Sequence, residues 1–161
     1  MSAGILIRDA RDGDGDALIA LIESCWADYP GCILDVDGEN PELRRFASHY
    51  SGKGGRAWIA ELSGRVVGSA AVEPGTAGAH IQSLYVDPNL RRQGLARNLI
   101  ALVEAEAIKM SAPIIDLWTD TRFTAAHAFY ERLGYQRRPG TRSLKDASRS
   151  VEFNYVKRLQ A

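Results

Sequence analysis

The sequence lacks the features that mark several classes of protein. Its only two cysteines, Cys25 and Cys32, form no Cys-x-x-Cys pair and have no histidine at zinc-finger spacing, so no metal site is predicted there. We expect both thiols to be reduced, as in a cytoplasmic protein. No apolar run reaches the length of a membrane span, and Met1-Ser2-Ala3-Gly4 begins no export signal. Neither membrane association nor secretion is therefore predicted.

An excess of charge of one sign is also absent. Lysine and arginine together number 20, and so do aspartate and glutamate, which makes the formal net charge zero. This balance gives no overall attraction to a polyanion, and no face combines aromatic and basic residues, so nucleic acid is not a predicted partner. The 161 residues contain no internal repeat and are too few for two comfortable domains. We predict a single domain over residues 1–161.

One acidic segment could suggest a calcium loop. Residues 12–16 alternate aspartate and glycine, and Glu23 lies near the closing position of such a loop. However, residues 17–22 already form an apolar helix face where the ligand loop would have to continue. We therefore predict no metal.

Turn residues divide the chain into alternating strands and helices. Strands are predicted at residues 5–8, 57–62, 66–72, 80–86, 114–118, 135–137 and 151–156. Helices are predicted from residue 17 to about 26, from Pro41, from the turn after residue 90 to 110, and over 125–133. The order indicates a central mixed sheet with helices on both faces, in the α/β or α+β class.

The segment from His80 to Met110 has the order strand, basic turn, helix. The helix carries apolar residues at steps of three and four: Leu95, Leu99, Leu102, Val103 and Ile108. The turn before it contains one glycine, Gly94, which lacks a Cβ and lets an anion approach the backbone N–H groups at the positive end of the helix. A Rossmann turn would need three glycines, and a P-loop would need Gly-Lys-Ser or Gly-Lys-Thr, so neither fits. The turn predicts a pyrophosphate site, unless its arginines are merely solvated.

Two motifs resemble those of the GNAT superfamily of N-acetyltransferases. Arg91, Gly94 and Ala96 match the acyl-CoA signature Arg-x-x-Gly-x-Ala, after a strand that ends Leu-Tyr-Val-Asp-Pro. The run from Ala126 to Tyr135 is similar to the family's second motif, Ala-x-x-x-Tyr-Glu-x-x-Gly-aromatic. The resemblance implies a GNAT-like fold, with a mixed, mostly antiparallel sheet of six to seven strands and about four helices. It also implies acetyl-CoA as co-substrate, with no metal.

The resemblance also implies which residues contact acetyl-CoA. Backbone N–H groups of Tyr85 or Val86 would face the thioester oxygen, particularly if the sheet splays or bulges there. Family members often have an asparagine before the second-motif helix, and here Thr121, Arg122 or Thr124 could take its place. The predicted set is Leu84, Tyr85, Val86, Arg91, Arg92, Gln93, Gly94, Leu95, Ala96, Arg97, Thr121 and Tyr130.

Acyl transfer to an amine also needs an acid and a base. Tyr130 matches the family's tyrosine, and a phenol with a pKa near 10 can protonate a leaving thiolate at neutral pH, although a core position is the alternative. The amine, with a pKa near 10.4, is neutral in only about one molecule in two thousand at pH 7. Family members often place a glutamate on the motif strand. Here His80 and Glu73 are the candidate bases, with Asp116 a comparable alternative.

The resemblance predicts an N-acetyltransferase that acts by direct attack on acetyl-CoA in a ternary complex. No cysteine lies in a motif that would suggest an acyl-enzyme. A catalytically silent acyl-CoA-binding regulatory module is the alternative. The acceptor would be a small-molecule or peptide amine, and a homodimer is common in the family. Candidate acceptor residues are Trp26, Tyr29, Asp35 and Glu39; Asp37 and Glu42 add to an acidic run that favours a cationic amine or is simply solvated.

Overall fold

The computed structural model describes residues 4–159, which form a twisted mixed sheet covered by helices on both faces. Residues 1–3, most of the segment in which we found no export signal, lie outside the described residues. The strands are β1 Ile5–Asp9, β2 Arg56–Leu62, β3 Arg65–Pro74, β4 Ala79–Val86, β5 Ile114–Asp120, β6 Gln136–Arg137, β7 Arg142–Ser143 and β8 Val151–Arg158. The helices are α1 Gly15–Trp26, α2 Val36–Glu39, α3 Phe46–Ser51, α4 Leu95–Lys109 and α5 Thr124–Arg132.

The strand order is β1-β2-β3-β4-β5-β8-β6, and β7 pairs with β8. Strands β4 and β5 are parallel, and the other described pairs are antiparallel. The predicted mixed, mostly antiparallel sheet is therefore confirmed. The sequence predicted seven strands, and the structure adds an eighth, the two-residue β7. It lies in a polar segment without strand periodicity. The structure also adds one helix to the four predicted. This helix is α2, a single turn in which the Asp35 carboxylate accepts a hydrogen bond of 3.0 Å from the Gly38 N–H.

Two hydrophobic clusters cover the two faces of the sheet. Helices α4 and α5 pack in one cluster, while α1 and α3 pack in the other. Strand β3 contributes to both, because successive side chains of a strand point to opposite faces. Ala70 and Val72 belong to the first cluster and Ala71 to the second. The central strands are thus buried on both sides.

The buried stripe of α4 differs from the predicted one. Leu102 is 37% exposed and Ile108 is 43% exposed. The residues that face the sheet are Leu95, Leu99, Ile100, Val103 and Ala107. At 3.6 residues per turn, Leu102 lies at the edge of this stripe and Ile108 beyond it. The predicted set left out Ile100 and Ala107, and packing on the sheet selects the stripe that contains them.

Candidate active site

The parallel strands β4 and β5 separate after a short pairing. Their register includes Ala79 opposite Ile115 and His80 opposite Asp116, and no later pair within the described residues. Beyond His80 the strands diverge, while β5 remains paired with β8 along its length. The backbone edge of β4 toward β5 is therefore left without ladder partners over its second half. Such an edge can bind an extended ligand.

A β-bulge in β4 lies next to this opening. Ser69 pairs with Tyr85 and Ala71 with Gln82, so Ser83 and Leu84 together oppose one residue of β3. Ser83 has a φ of 53°, which is unusual for a residue other than glycine. The hydroxyl of the fully buried Ser69 donates a hydrogen bond of 2.7 Å to the Ser83 carbonyl. This hydrogen bond stabilises the bulge, and the bulge changes the direction of the strand that follows it.

The turn before α4 exposes the backbone at the helix start. Gly94 has a φ of 84° and caps the helix without a side-chain hydrogen bond. Arg92 also has a positive φ, 65°. The first N–H groups of a helix have no partner in the helix itself, so those of α4 are available to a ligand. With the helix dipole, they form a site that favours an anion.

An arginine-lined cavity of about 600 Å³ lies between this turn, the end of β4 and α5. Four arginines contribute to its walls: Arg91, Arg92, Arg97 and Arg132. No aspartate or glutamate is among the described residues that line it. Apolar residues of β4 and α5 form the rest, including Leu84 and Phe129. The cavity suits an elongated ligand with an apolar part and several negative charges.

A carboxylate-lined cavity of about 370 Å³ lies in the opening between β4 and β5. Five carboxylates contribute to its walls: Glu39, Glu42, Asp120, Asp146 and Glu152. Among the residues described, the lining includes no lysine, arginine or histidine. The charge of this cavity is opposite to that of its neighbour, although the whole chain is neutral. The molecule therefore separates its charges into two sites.

The two cavities share one wall. Six residues line both: Trp26, Leu84, Tyr85, Phe123, Ala126 and Tyr130. The Trp26 indole N–H lies near the Tyr85 hydroxyl but is buried without a hydrogen bond of good geometry in the described part of the chain. A group transferred between ligands in the two cavities would have to pass this wall.

Tyr130 contributes a hydroxyl to the shared wall. The residue is 6% exposed, and its ring packs on Phe129, Tyr135 and Tyr155. Its hydroxyl makes no hydrogen bond with any residue in 4–159. Burial raises the pKa of this phenol above its ordinary value near 10, because the phenolate would lose its hydration. Tyr130 therefore keeps its proton and offers it as a donor at the wall.

Most residues predicted to bind acetyl-CoA come together. The following line the arginine-lined cavity: Leu84, Tyr85, Val86, Arg91, Arg92, Gly94, Leu95, Ala96, Arg97 and Tyr130. Gln93 and Thr121 are not among its lining residues. The Thr121 N–H instead donates to the Val151 carbonyl at 2.8 Å, and Arg122 forms an ion pair with Asp120. Thr121 and Arg122 thus contact β8 and Asp120, and Phe123 is the residue of this loop that lines the cavity.

The residues predicted as bases lie elsewhere. His80 pairs through Nδ1 with Asp116, and the second carboxylate oxygen of Asp116 accepts a hydrogen bond of 3.2 Å from Asn154. Glu73 lies 3.7 Å from the Lys53 ammonium. None of these three residues lines either cavity. His80 and Asp116 lie where β4 and β5 are still paired, and Glu73 lies on β3 opposite His80. The structure therefore gives no support to a base at these positions.

Sequence reasoning missed part of both walls. Arg132, on the second-motif helix, follows Tyr130 by two residues and could have been found from that motif. Asp146 and Glu152 come from the β7–β8 region and had no local signal. Of the acidic run, Glu39 and Glu42 line the carboxylate-lined cavity. Asp35 instead caps α2, and Asp37 forms an ion pair with Arg44 at 2.9 Å.

Within residues 4–159, no group of three or more histidine, cysteine, aspartate or glutamate side chains could hold a metal ion. None of the helices in this range has the length and apolar character needed to cross a membrane.

One protein family and three known proteins are similar to this chain. The model of the acetyltransferase (GNAT) family matches residues 18–135. The uncharacterized N-acetyltransferase YjgM of Escherichia coli strain K12 is 30% identical over 129 residues, which cover 76% of this chain and 77% of that protein. A GNAT-family acetyltransferase from Staphylococcus aureus Mu50 has a TM-score of 0.82 at 20% identity, covering 97% of this chain and 99% of that one. PaiA N-acetyltransferase from Thermoplasma acidophilum, in complex with coenzyme A, has a TM-score of 0.76 at 18% identity, covering 98% and 99%.

Proposed function

The chain belongs to the acetyltransferase (GNAT) family, and from this premise we propose that it transfers an acetyl group from acetyl-CoA to a primary amine by direct attack. The observation that carries the proposal is the pair of oppositely charged cavities that share a wall at Tyr130. The arginine-lined cavity would bind acetyl-CoA and the carboxylate-lined cavity the amine. Both ligands can then be bound together, and no acyl-enzyme is needed.

The arginine-lined cavity fits the chemistry of acetyl-CoA. The free N–H groups at the start of α4, with Arg91, Arg92 and Arg97 nearby, would hold its pyrophosphate. The unpaired edge of β4 would hydrogen-bond the amides of its pantetheine arm. When bound, acetyl-CoA supplies an activated acyl group as a thioester. The buried indole N–H of Trp26 and the unpartnered hydroxyl of Tyr130 fit a ligand that reaches the shared wall.

The chain would contribute two groups to the chemistry. After the bulge, an N–H group of Tyr85 or Val86 on the open edge would stabilise the negative charge that develops on the thioester oxygen. Tyr130 would donate its proton to the thiolate that leaves. We assign no residue as base, and the amine would lose its proton to water in the carboxylate-lined cavity.

Steady thiol release with an amine present tests this proposal. With acetyl-CoA and a panel of primary amines, we expect free thiol to form continuously and an acetylated amine to appear in equal amount. Calorimetry with CoA and acetyl-CoA should detect binding of both. Binding without thiol release from any amine would indicate the silent binding module, and absence of binding would refute the proposed function.

The pH dependence should show no loss of activity at alkaline pH. Because burial raises the pKa of Tyr130, its acid form persists above the ordinary value near 10. The amine, in contrast, becomes neutral as pH rises. We therefore expect kcat/KM to increase between about pH 6 and pH 10 without a decrease. His80→Ala should leave this profile unchanged. A change in the acidic limb of the profile would instead indicate that His80 takes part in the reaction.

A further inference from the structure

The carboxylate-lined cavity contains more negative charge than ion pairs with the described residues neutralise. Asp120 lies 2.7 Å from Arg122, and Glu152 lies 2.8 Å from Arg142. The other three carboxylates, Glu39, Glu42 and Asp146, form no ion pair with any residue described. The described residues also give Glu42 no hydrogen bond. Three of the five carboxylates thus form no ion pair within residues 4–159, and their electrostatic neighbours are Arg122, already paired with Asp120, near Asp146 and His49 near Glu42.

Glu39 and Asp146 are held in place by hydrogen bonds, whereas Glu42 has none among the described residues. The Ala147 N–H donates to Glu39 at 2.7 Å, across 108 positions of the sequence. The Ile33 N–H donates to the Ser148 hydroxyl at 2.7 Å, and that hydroxyl donates to the Ile33 carbonyl at 3.0 Å. Asp146 accepts hydrogen bonds from the Ser150 N–H and hydroxyl. Hydrogen bonds of the folded chain therefore position two carboxylates of the acidic wall, Glu39 and Asp146.

The cavity also reaches a hydroxyl that has no hydrogen bond within the described part of the chain. Tyr130 is 94% buried, lines the cavity, and its hydroxyl forms no hydrogen bond with residues 4–159. Two exposed apolar side chains also line the cavity: Ile33 is 53% exposed and Leu144 36% exposed. The cavity thus combines carboxylates, apolar side chains and the Tyr130 hydroxyl donor.

A simple monoamine would gain little from the acidic wall. The attacking nitrogen must be neutral, whereas nearby carboxylates favour the protonated ammonium form. Three carboxylates without an ion pair would therefore oppose attack by the nitrogen that they bind. They favour an acceptor in which a different group carries the positive charge throughout the reaction.

We infer that the acceptor is an aliphatic amine with a second cationic group, which binds among Glu39, Glu42 and Asp146 while the reacting amino group reaches Tyr130. This inference rests on the proposed function. In the reaction, the neutral nitrogen forms a bond to the acetyl carbon and the carbon–sulfur bond breaks. The nitrogen loses one proton to water, and the departing thiolate accepts one from Tyr130, which water reprotonates. The second cation is unchanged.

Three acceptors with the same five-carbon chain test the inference. Cadaverine has a second ammonium group, pentylamine a methyl group, and aminovalerate a carboxylate. We expect kcat/KM for cadaverine to exceed that for pentylamine by about tenfold, as for one partly desolvated ion pair. Aminovalerate should be the poorest of the three. Equal values for cadaverine and pentylamine would overturn the inference while leaving the proposed function intact.

Glu42→Gln removes one negative charge and keeps the shape of the side chain. We expect kcat/KM to decrease about tenfold for cadaverine and to change less than about twofold for pentylamine. Asp37→Asn is the matched control: Asp37 belongs to the same acidic segment but is exposed, pairs with Arg44 and does not line the cavity. A similar decrease in kcat/KM for Glu42→Gln and Asp37→Asn would indicate a general effect of negative charge. That result would contradict a cation site at Glu42.

A binding measurement separates this inference from catalysis. Hexamethonium has two permanent positive charges and cannot be acetylated. We expect calorimetry to detect its binding to the protein saturated with CoA, and Glu42→Gln to weaken that binding about tenfold. Competition with cadaverine but not with acetyl-CoA would support the cation site. If hexamethonium does not bind, the inference fails even where amines are acetylated; if neither CoA nor acetyl-CoA binds, the proposed function fails first.

Discussion

Tyr130→Phe is expected to reduce kcat by about a hundredfold or more and to leave the Kd for acetyl-CoA nearly unchanged. The substitution removes the hydroxyl at the shared wall and keeps the ring that packs on Phe129 and Tyr135. Without a donor, the thiolate must leave unprotonated. Because the hydroxyl has no hydrogen bond in residues 4–159, its removal should not destabilise the fold. Steady-state kinetics and calorimetry together measure the effect.

Tyr135→Phe provides the matched control. Tyr135 is 2% exposed and lies beside Tyr130, but its hydroxyl donates to Glu104 at 2.7 Å and the residue lines neither cavity. We expect this variant to lose some thermal stability, about 1 kcal/mol in the free energy of unfolding, and to keep its kcat. If Tyr130→Phe retained the kcat of the unchanged protein, the role of Tyr130 as acid would have to be abandoned.

Gly94→Val should weaken binding of CoA by about thirtyfold, which corresponds to about 2 kcal/mol. Gly94 has a φ of 84°, which a β-branched residue adopts only at high energy. The turn would move toward a negative φ, and the N–H groups at the start of α4 would no longer converge on one anion. Isothermal titration with CoA measures the change in Kd.

Gly64→Val separates this effect from loss of stability. Gly64 has nearly the same conformation, a φ of 80°, and lies in the turn between β2 and β3. No heavy atom lies within 4 Å of a Cβ built at either glycine, so the local strain should be similar. Both variants should therefore show comparable decreases in Tm, while only Gly94→Val loses affinity for CoA. Equal affinities in the two variants would show that the turn does not bind the pyrophosphate.

Much of the fold could be predicted because its signals are local. Strand β4, the turn at Gly94 and helix α4 follow one another, so alternation, turn residues and helical spacing identify them without long-range information. The same holds for Tyr130, whose motif lies within one helix. The cavity that collects these residues was implied by the resemblance, since both motifs were recognised in order.

The acidic wall could not be predicted in the same way. Glu39 and Asp146 are brought together by hydrogen bonds between segments more than a hundred positions apart, and neither segment has a periodic pattern. The position of His80 relative to the cavities also could not be predicted from the sequence. It depends on the parallel register of β4 and β5, which places His80 beside Asp116 at the closed end of the opening. The residue type made His80 a candidate base, but the strand order and register decide whether a substrate can reach it.

The opposite charges of the two cavities also have a thermodynamic consequence. A polyanion bound among the arginines would place negative charge beside the site of a cationic partner, and the partner would do the reverse. Each ligand should then increase the affinity of the other by the same factor, as linkage requires. Since this attraction acts across one layer of side chains, added salt would weaken it only in part. Cooperative assembly of the two ligands would thus follow from charge placement alone, with no change of conformation.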